Sequence, residues 1–318
     1  MASPYHPGEI AVQTRAGVLT AALRLGGIIA PQLPPRAGQF LATQRLAVLG
    51  ATGAEGRVWA SALAGEPGFL RMVDETILHI AATPAAGDPL AAVFAHAAAL
   101  AEPLDVGVLV IDPATRRRLR VNGLAWPAPG GGVRVNVRQA YWNCPKYIQQ
   151  RTPAPRPSLP AAAMESGEPR RGASLSDRQR GWVASADTFF IATAHPAGGT
   201  DASHRGGEPG FVRLERGVEG QDVLVFPDYP GNNMFNTLGN LAENPAAGLL
   251  FLDFERGATL QLTGTAQVLW ERGEYADFPG AERAVRFRVA EVVELPHDTT
   301  PRWHLEDRSP FNPPPPAP

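Results

Sequence analysis

The pentapeptide GEPGF occurs twice in this chain, at Gly65–Phe69 and again at Gly207–Phe211. It is the anchor of a longer repetition. "FLATQRLAVLGATGAEGRVWASALAGEPGFL" begins at Phe40, and "FFIATAHPAGGTDASHRGGEPGFV" begins at Phe189. Each reads as an apolar strand, a glycine-containing excursion and then the shared pentapeptide. Further on, "VGVLVIDPATRRRLRVNGLAW" from Val106 answers to "AGLLFLDFERGATLQLTGTAQVLW" from Ala247, with Gly123 and Gly264 in corresponding places. "GGVRVNVRQAYW" then matches "RAVRFRVAEVVE", both alternating as a strand with one wetted face does. Three blocks in the same order and spacing imply an internal duplication, so the chain must fold as two copies of one unit. Two such copies can pair as the subunits of a dimer do, about a pseudo-two-fold axis.

The stretch "RTPAPRPSLPAAAMESGEPRRG" has no periodicity and reads as a Pro-rich linker. The expected organisation is a first unit over 1–150 with a helical N-terminal extension and a linker over 151–172. A second unit follows over 173–298, then a Pro-rich tail over 299–318 whose last stretch, "SPFNPPPPAP", is expected to be disordered. Each unit shows about six short strands and few helices. In the second, "SLSDRQRGWVASAD" predicts a helix capped by Ser174, and "NNMFNTLGNLAENP" a helix capped by an Asn and stopped at Asn244-Pro245. The fold class is therefore mainly β (α+β), two small antiparallel barrels with peripheral helices. "LAVLGATGAEGRVWA" spaces Gly50, Gly53 and Gly56 as a dinucleotide-binding turn does. Only Arg57–Ala64 would remain for its helix before Gly65 and Pro67, and the second copy lacks the pattern. The glycines read better as a hairpin turn, with "GRVWASAL" as the next strand.

Lys and Arg number 29 against 31 Asp and Glu, so no polyanion or nucleic-acid partner is indicated. A single cysteine, Cys144, excludes an internal disulfide and fits a reducing compartment. The first residues lack the basic-then-apolar pattern of a signal peptide, and no apolar run approaches the roughly twenty residues of a membrane helix. A cytoplasmic protein without membrane contact is expected. His79 and His195 each lie at a strand end with no evident partner, and no ligands cluster at coordinating spacing, so no metal site is expected. His6 and Arg15 belong to the polar N-terminal extension.

The second unit resembles the pyridoxamine 5'-phosphate oxidase-like family, the FMN-binding split barrels. The resemblance rests on "FFIATA", "SHRGGEPGFVRL", "VLVFPDYPGNNMFNTLGNLAENPAAGLLFLDF" and "LQLTGTAQV", over about Ser174–Val268. The first unit resembles the same family more loosely, through "GRVWASALAGEPGF" and "RVNVRQAYWNCPKYIQ". The resemblance implies a six-stranded split barrel, FMN held between two barrels and, in many members, oxidoreductase activity. A small-molecule substrate and an electron donor or acceptor would be the partners, and further homodimerisation stays open. The vitamin-processing members' C-terminal arginines and histidine have no match here, so vitamin B6 oxidation is not expected.

The candidate cofactor residues follow. Ser203, His204 and Arg205 sit in a glycine-flanked stretch, with Arg suited to a bidentate phosphate contact. Phe211 and Val212 continue the same motif. Pro227 and Asp228 end a strand along which a flavin edge would lie. Asn232 and Asn233 stand at the predicted helix start, where they would cap the helix, contact a phosphate, or both. In the first unit Arg57, Trp59 and Ser61 alternate, so they share one strand face. Cys144 and Lys146 lie just past the unit's last strand, within reach of a flavin held by the partner unit; Cys144 is equally readable as a small buried residue. The first unit has no counterpart of Gly231-Asn232-Asn233 and carries an alanine-rich helix from about Pro89 instead, which makes one of the two pseudo-equivalent sites degenerate. No obligatory acid or base can be named. The alternatives to an FMN oxidoreductase are a non-catalytic flavin carrier and a deazaflavin-dependent reductase.

Overall fold

A computed structural model describes residues 3–128, 131–155, 168–197, 199–296 and 299–314. The first unit contributes β1 (Leu46–Thr52), β2 (Val58–Ala64), β3 (Leu70–Asp74), β4 (Ile77–Ile80), β5 (Leu104–Asp112), β6 (Arg117–Pro127) and β7 (Val133–Asn143). They form one antiparallel sheet in the order β2-β1-β5-β6-β7-β4-β3. Two short strands follow, β8 (Gln150–Pro153) and β9 (Arg170–Gly172). The second unit contributes β10 (Thr188–Ala194), β11 (Thr200–Gly206), β12 (Arg213–Arg216), β13 (Asp222–Asp228), β14 (Ala246–Leu252), β15 (Thr259–Leu269) and β16 (Arg283–Leu295). Its order is β11-β10-β14-β15-β16-β13-β12, the first order repeated strand for strand, with β9 added against β16. The chain is thus two split β-barrels in tandem, each with seven strands in its sheet rather than the six expected.

The repetition extends to register. Leu49 faces Ser61 as Ile191 faces Ser203, and Val106 faces Gly123 as Ala247 faces Gly264. Both long hairpins are bulged at the same place, at Asn122/Gly123 and at Thr263/Gly264. The supposed dinucleotide turn is a hairpin: Gly53 N–H donates to the Arg57 carbonyl (2.8 Å) and β2 follows directly.

The apolar runs lack alternation because these strands are buried on both faces. In β1, Ala47, Leu49 and Ala51 point into the first barrel, while Leu46 and Val48 point into the seam between the barrels. In β10, Phe189 and Ile191 fill the second barrel, while Phe190, Ala192 and Ala194 enter the same seam. Leu109, Ile111, Leu250, Leu252 and Trp303 complete that seam core. At roughly 1.5–3 kcal/mol for each large apolar side chain removed from water, the seam is a third core of the molecule. Close approach there depends on two corresponding glycines. A Cβ on Gly107 would strike the Thr200 carbonyl, and one on Gly248 would lie 2.6 Å from the Val58 carbonyl.

Several local expectations are corrected. The helix Asp177–Ser185 is capped by Ser176, not Ser174, with Gln179 closing the capping box. The helix in the GNN segment spans Asn236–Glu243, so Asn232 and Asn233 lie in the loop before it, and Asn233 and Phe235 adopt left-handed backbone. The alanine-rich helix Pro89–Leu100 starts at the expected Pro, capped by Asp88. The ends of the linker are strands β8 and β9; its middle, 156–167, lies outside the described residues. Before the Pro-rich end, β17 (Trp303–Asp307) pairs with β8, closing each unit's C-terminal segment onto the other's.

Gly248→Val is expected to lower stability by about 2–3 kcal/mol, as overpacking against fixed backbone does. Denaturant unfolding checks this, and wild-type stability in the variant would show that the barrels do not touch there.

Candidate functional site

A polar cleft lies between the barrels and draws side chains from both. From the first unit come Arg118 and Arg120 on β6, Asn143 and Cys144 at the end of β7, and Tyr147. From the second come Ser203, His204 and Arg205 on β11, Pro227 and Asp228 at the end of β13, the loop through Asn232 and Asn233, and Arg283 at the start of β16. Arg118 and Arg120 reach the seam together because β6 positions two apart share a face. The cleft encloses about 890 Å³ counted out to its open mouth.

Its charges do not balance. Arg120 pairs with Asp201 and also donates to Ser203 Oγ, which in turn accepts from Thr237 Oγ1 at 3.1 Å. Arg283 pairs with Asp228 through Nε at 3.0 Å. Arg118 and Arg205 have no carboxylate partner within salt-bridge distance among the described residues. Arg118 donates to the Cys144 carbonyl (2.8 Å) and approaches Cys144 Sγ (3.4 Å) and His204 Nδ1 (3.1 Å). Arg205 donates to the His204 carbonyl at 3.2 Å. Burial lowers the pKa of both guanidiniums from the usual arginine value, the sign of cations held away from water without full compensation. Burial also pushes His204 well below the usual histidine range, with Arg118 adding to the effect. His204 is then a neutral imidazole whose Nδ1 accepts from Arg118. Desolvation raises the Asp228 pKa despite the opposing pull of Arg205 and Arg283.

The rest of the wall is aromatic and amide. Tyr147 and Tyr229 lie with ring centroids 5.3 Å apart, and burial pushes each phenol up to about 12, so both stay protonated. Tyr147 Oη donates to the Pro230 carbonyl (3.0 Å) and Asn232 Nδ2 to Asn143 Oδ1 (3.2 Å), two clasps of the second unit's loop to the first unit.

Of the residues singled out in the sequence, Ser203, His204, Arg205, Phe211, Pro227, Asp228, Asn232, Asn233 and Cys144 line this one cleft. Val212 does not line it; it is buried in the second barrel. Lys146 sits beside it, with Nζ donating to the Pro230 carbonyl (3.5 Å) and lying 5.7 Å from the Phe311 ring centroid. Arg57, Trp59 and Ser61 are elsewhere. Arg57 is exposed and pairs with Glu291 (2.6 Å), Trp59 packs in the first barrel, and Ser61 is buried and donates to Asp88 (2.7 Å). Trp59 and Ser61 share one face of β2 while Arg57 precedes the strand, and Ser61 belongs to the counterpart of the cleft, which is filled.

Register shows what fills it. Leu63, Ala82 and Gly131 stand where the second unit has Arg205, Asp228 and Arg283, while Thr259 and Gln261 stand where the first unit has Arg118 and Arg120. Gln261 Nε2 donates to Ser61 Oγ (3.0 Å) and Asp88 Oδ2 (3.1 Å), and Asp88 Oδ1 accepts from Leu90 N–H (2.8 Å). Every cation of the cleft is missing from its counterpart. Arg118, Arg120, Tyr147 and Arg283 were not among the residues singled out. The alternation of arginines in "RRRLR" against "ATLQL" in the other copy was their available signal, readable only once that face was known to meet the seam.

Residues 175–300 match the family model described as Pyridoxamine 5'-phosphate oxidase. Among solved structures, a putative pyridoxamine 5'-phosphate oxidase from Lactobacillus delbrueckii is 16% identical, covering 38% of this chain and 94% of its own, with a TM-score of 0.30. An F420 reductase is 15% identical over 37% of this chain and 95% of its own, at 0.27. The heme storage protein HutZ from Vibrio cholerae is 13% identical over 38% and 95%, at 0.26. No curated protein matches in sequence. No helix of the described residues is long and apolar enough to cross a membrane.

In the filled counterpart, desolvation raises the Asp88 pKa from 3.8 to about 6. The folded state keeps a proton that the unfolded chain has released, so this group's contribution to stability falls as pH rises from about 4 to about 6. Asp88→Asn is expected to remove that fall. Unfolding midpoints across this range check it, and parallel wild-type and variant curves would contradict it.

Proposed function

We propose that this chain, whose second barrel matches the pyridoxamine 5'-phosphate oxidase model over residues 175–300, binds one FMN in the cleft between its barrels and acts as an oxidoreductase. The observation that carries this reading is the pair Arg118 and Arg205. Two guanidiniums, one from each barrel, are turned into a cleft without a carboxylate partner. Holding such charges out of water costs several kcal/mol unless an anion joins them. A phosphate monoester supplies that charge and accepts bidentate bonds from arginine.

The remaining lining suits the rest of a flavin. Protonated Tyr147 and Tyr229 offer flat apolar contact without charge. The β13 end at Pro227-Asp228 and the Asn232–Asn233 loop offer backbone and amide groups for polar ring edges. When bound, FMN supplies transfer of hydride or single electrons, and the protein contributes anchoring, orientation and exclusion of water. His204, held neutral with Nδ1 accepting from Arg118, positions that guanidinium and adds no competing positive charge. A single occupied site per chain follows because the counterpart lacks these arginines.

A second reading is favoured by the same two guanidiniums, which would equally take the phosphate of a deazaflavin. A carrier without turnover is compatible with the same lining. Denaturing release of the chromophore and its identification by mass separates the two cofactors. Reduction of the bound flavin by a nicotinamide cofactor, followed by reoxidation in air, separates an enzyme from a carrier. Arg205→Ala and Arg118→Ala are each expected to weaken FMN retention about tenfold or more, equal to about 1.4 kcal/mol, in a fluorescence titration of the flavin-free protein. A colourless protein that takes up neither cofactor, or variants with unaltered occupancy, would overturn the reading.

A further inference from the structure

A second polar cavity lies behind the cleft, across the Arg120–Asp201 ion pair. It encloses about 760 Å³ counted to its mouth. At that mouth three residues far apart in sequence meet. His6 is the N-cap of the helix Pro7–Arg15, His195 follows the last residue of β10, and Glu243 ends the helix Asn236–Glu243. Close packing of the two helices brings the first and last together: a Cβ on Gly239 would lie 2.7 Å from Glu9 Cα. The potential ligand atoms of His6, His195 and Glu243 all lie within 4.8 Å of one another.

Three observations point from this cluster to a cation. Both ring nitrogens of His6 are out of contact with water and have no hydrogen-bond partner, the Glu9 carboxylate lying 3.6 Å from Nε2. The two imidazoles stand 4.1 Å apart between centroids with their planes tilted by 41°, which brings two nitrogen donors to one point. Carboxylates also outnumber cations around the cavity. Asp105 and Asp201 line it and Glu243 stands beside His195, against Arg120 behind Asp201 and Arg138, which pairs with Asp105 at 3.2 Å.

We propose that His6, His195 and Glu243 form a binding site for a divalent transition-metal ion, Zn²⁺ or one of similar preference, with the cavity supplying a water in the fourth position. Two imidazoles and one carboxylate are a donor set that Zn²⁺ takes, at bonds of about 2.1 Å. Tetrahedral ligand atoms then stand about 3.4 Å apart, so closure needs rotamer adjustments of about an ångström. His195 Nε2 now lies 3.1 Å from Glu243 Oε2, and Nδ1 accepts from the Ala197 N–H at 3.2 Å. Binding moves the imidazole proton from Nε2 to Nδ1, frees the Nε2 lone pair for the metal and turns the Ala197 amide away. The site shares no ligand with the proposed flavin contacts and stands independently of that reading.

The test uses the full chain without a polyhistidine tag, stripped with a chelator and titrated with Zn²⁺ by calorimetry. One Zn²⁺ is expected per chain, with a Kd of about 1 μM or tighter. Co²⁺ in its place should give the intense visible bands of a tetrahedral N/O site. His195→Gln and Glu243→Gln are each expected to weaken Zn²⁺ binding about 100-fold, more than outer-sphere changes do, and to abolish the rise in melting temperature that Zn²⁺ gives the parent. Glu243 is partly exposed, so Glu243→Gln decides the matter should His195→Gln fail to fold. No binding by the parent, an octahedral Co²⁺ spectrum, or undiminished binding by the folded variants would overturn the proposal.

Discussion

Everything distinctive in this protein depends on the seam where the backbone of one barrel lies directly on the other. Gly107 and Gly248 hold the same place in their two units, and each lets a strand approach the partner barrel's backbone. The seam core of Leu46, Val48, Phe190, Leu250 and their neighbours then makes the pairing permanent. A homodimer reaches this arrangement by association. Here it is intramolecular, reinforced by β8 and β17 pairing across the units. The effective concentration of one barrel for the other is therefore set by the chain rather than by protein concentration.

Fusion of the two barrels removes the symmetry a homodimer would impose. In a two-fold dimer each residue serves both seam sites, so a charge added to one appears in the other. In this chain the copies are free to diverge. One seam site has collected Arg118, Arg120, Arg205 and Arg283. The corresponding positions of the other carry Thr259, Gln261, Leu63 and Gly131 and are closed by Ser61, Asp88 and Gln261 bonding to one another. The closed site is a small buried polar network in which Ser61, Asp88 and Gln261 Nε2 satisfy one another, while Gln261 Oε1 and Thr259 Oγ1 have no hydrogen-bond partner among the described residues. The open one keeps two cations unmatched. That contrast is an argument about ligand charge that neither barrel alone would provide.

The N-terminal extension has more structural weight than its polarity suggests. Its helix lies on the helix Asn236–Glu243, with Gln13 Nε2 bonded to the Met234 carbonyl (3.0 Å) and Glu9 accepting from Asn236 Nδ2 (2.6 Å). Glu9 is buried, and desolvation with the nearby Asp201 raises its pKa to about 8. A carboxyl kept largely protonated near neutrality, next to Asn236 and behind the Arg120–Asp201 pair, ties the extension to the base of the cleft.

Sequence alone determined the duplication, the hairpin at Gly53, the start of the helix at Pro89 and the stretch from Ser203 to Asn233 where the cleft lies. These are local or self-referential signals: periodicity, turn chemistry and comparison of the chain with itself. Tertiary structure alone decided which faces meet. Arg57, Trp59 and Ser61 read as one face, yet Arg57 precedes the strand and Ser61 belongs to the filled site. Arg118 and Arg120, two apart on one strand, form the far wall of the cleft. His6, His195 and Glu243 converge although their spacings carry no ligand pattern. The physical reason is common to all three. A strand's period fixes which side chains point together, but what they point at is set by the packing of a second unit, and that information is spread across the whole seam.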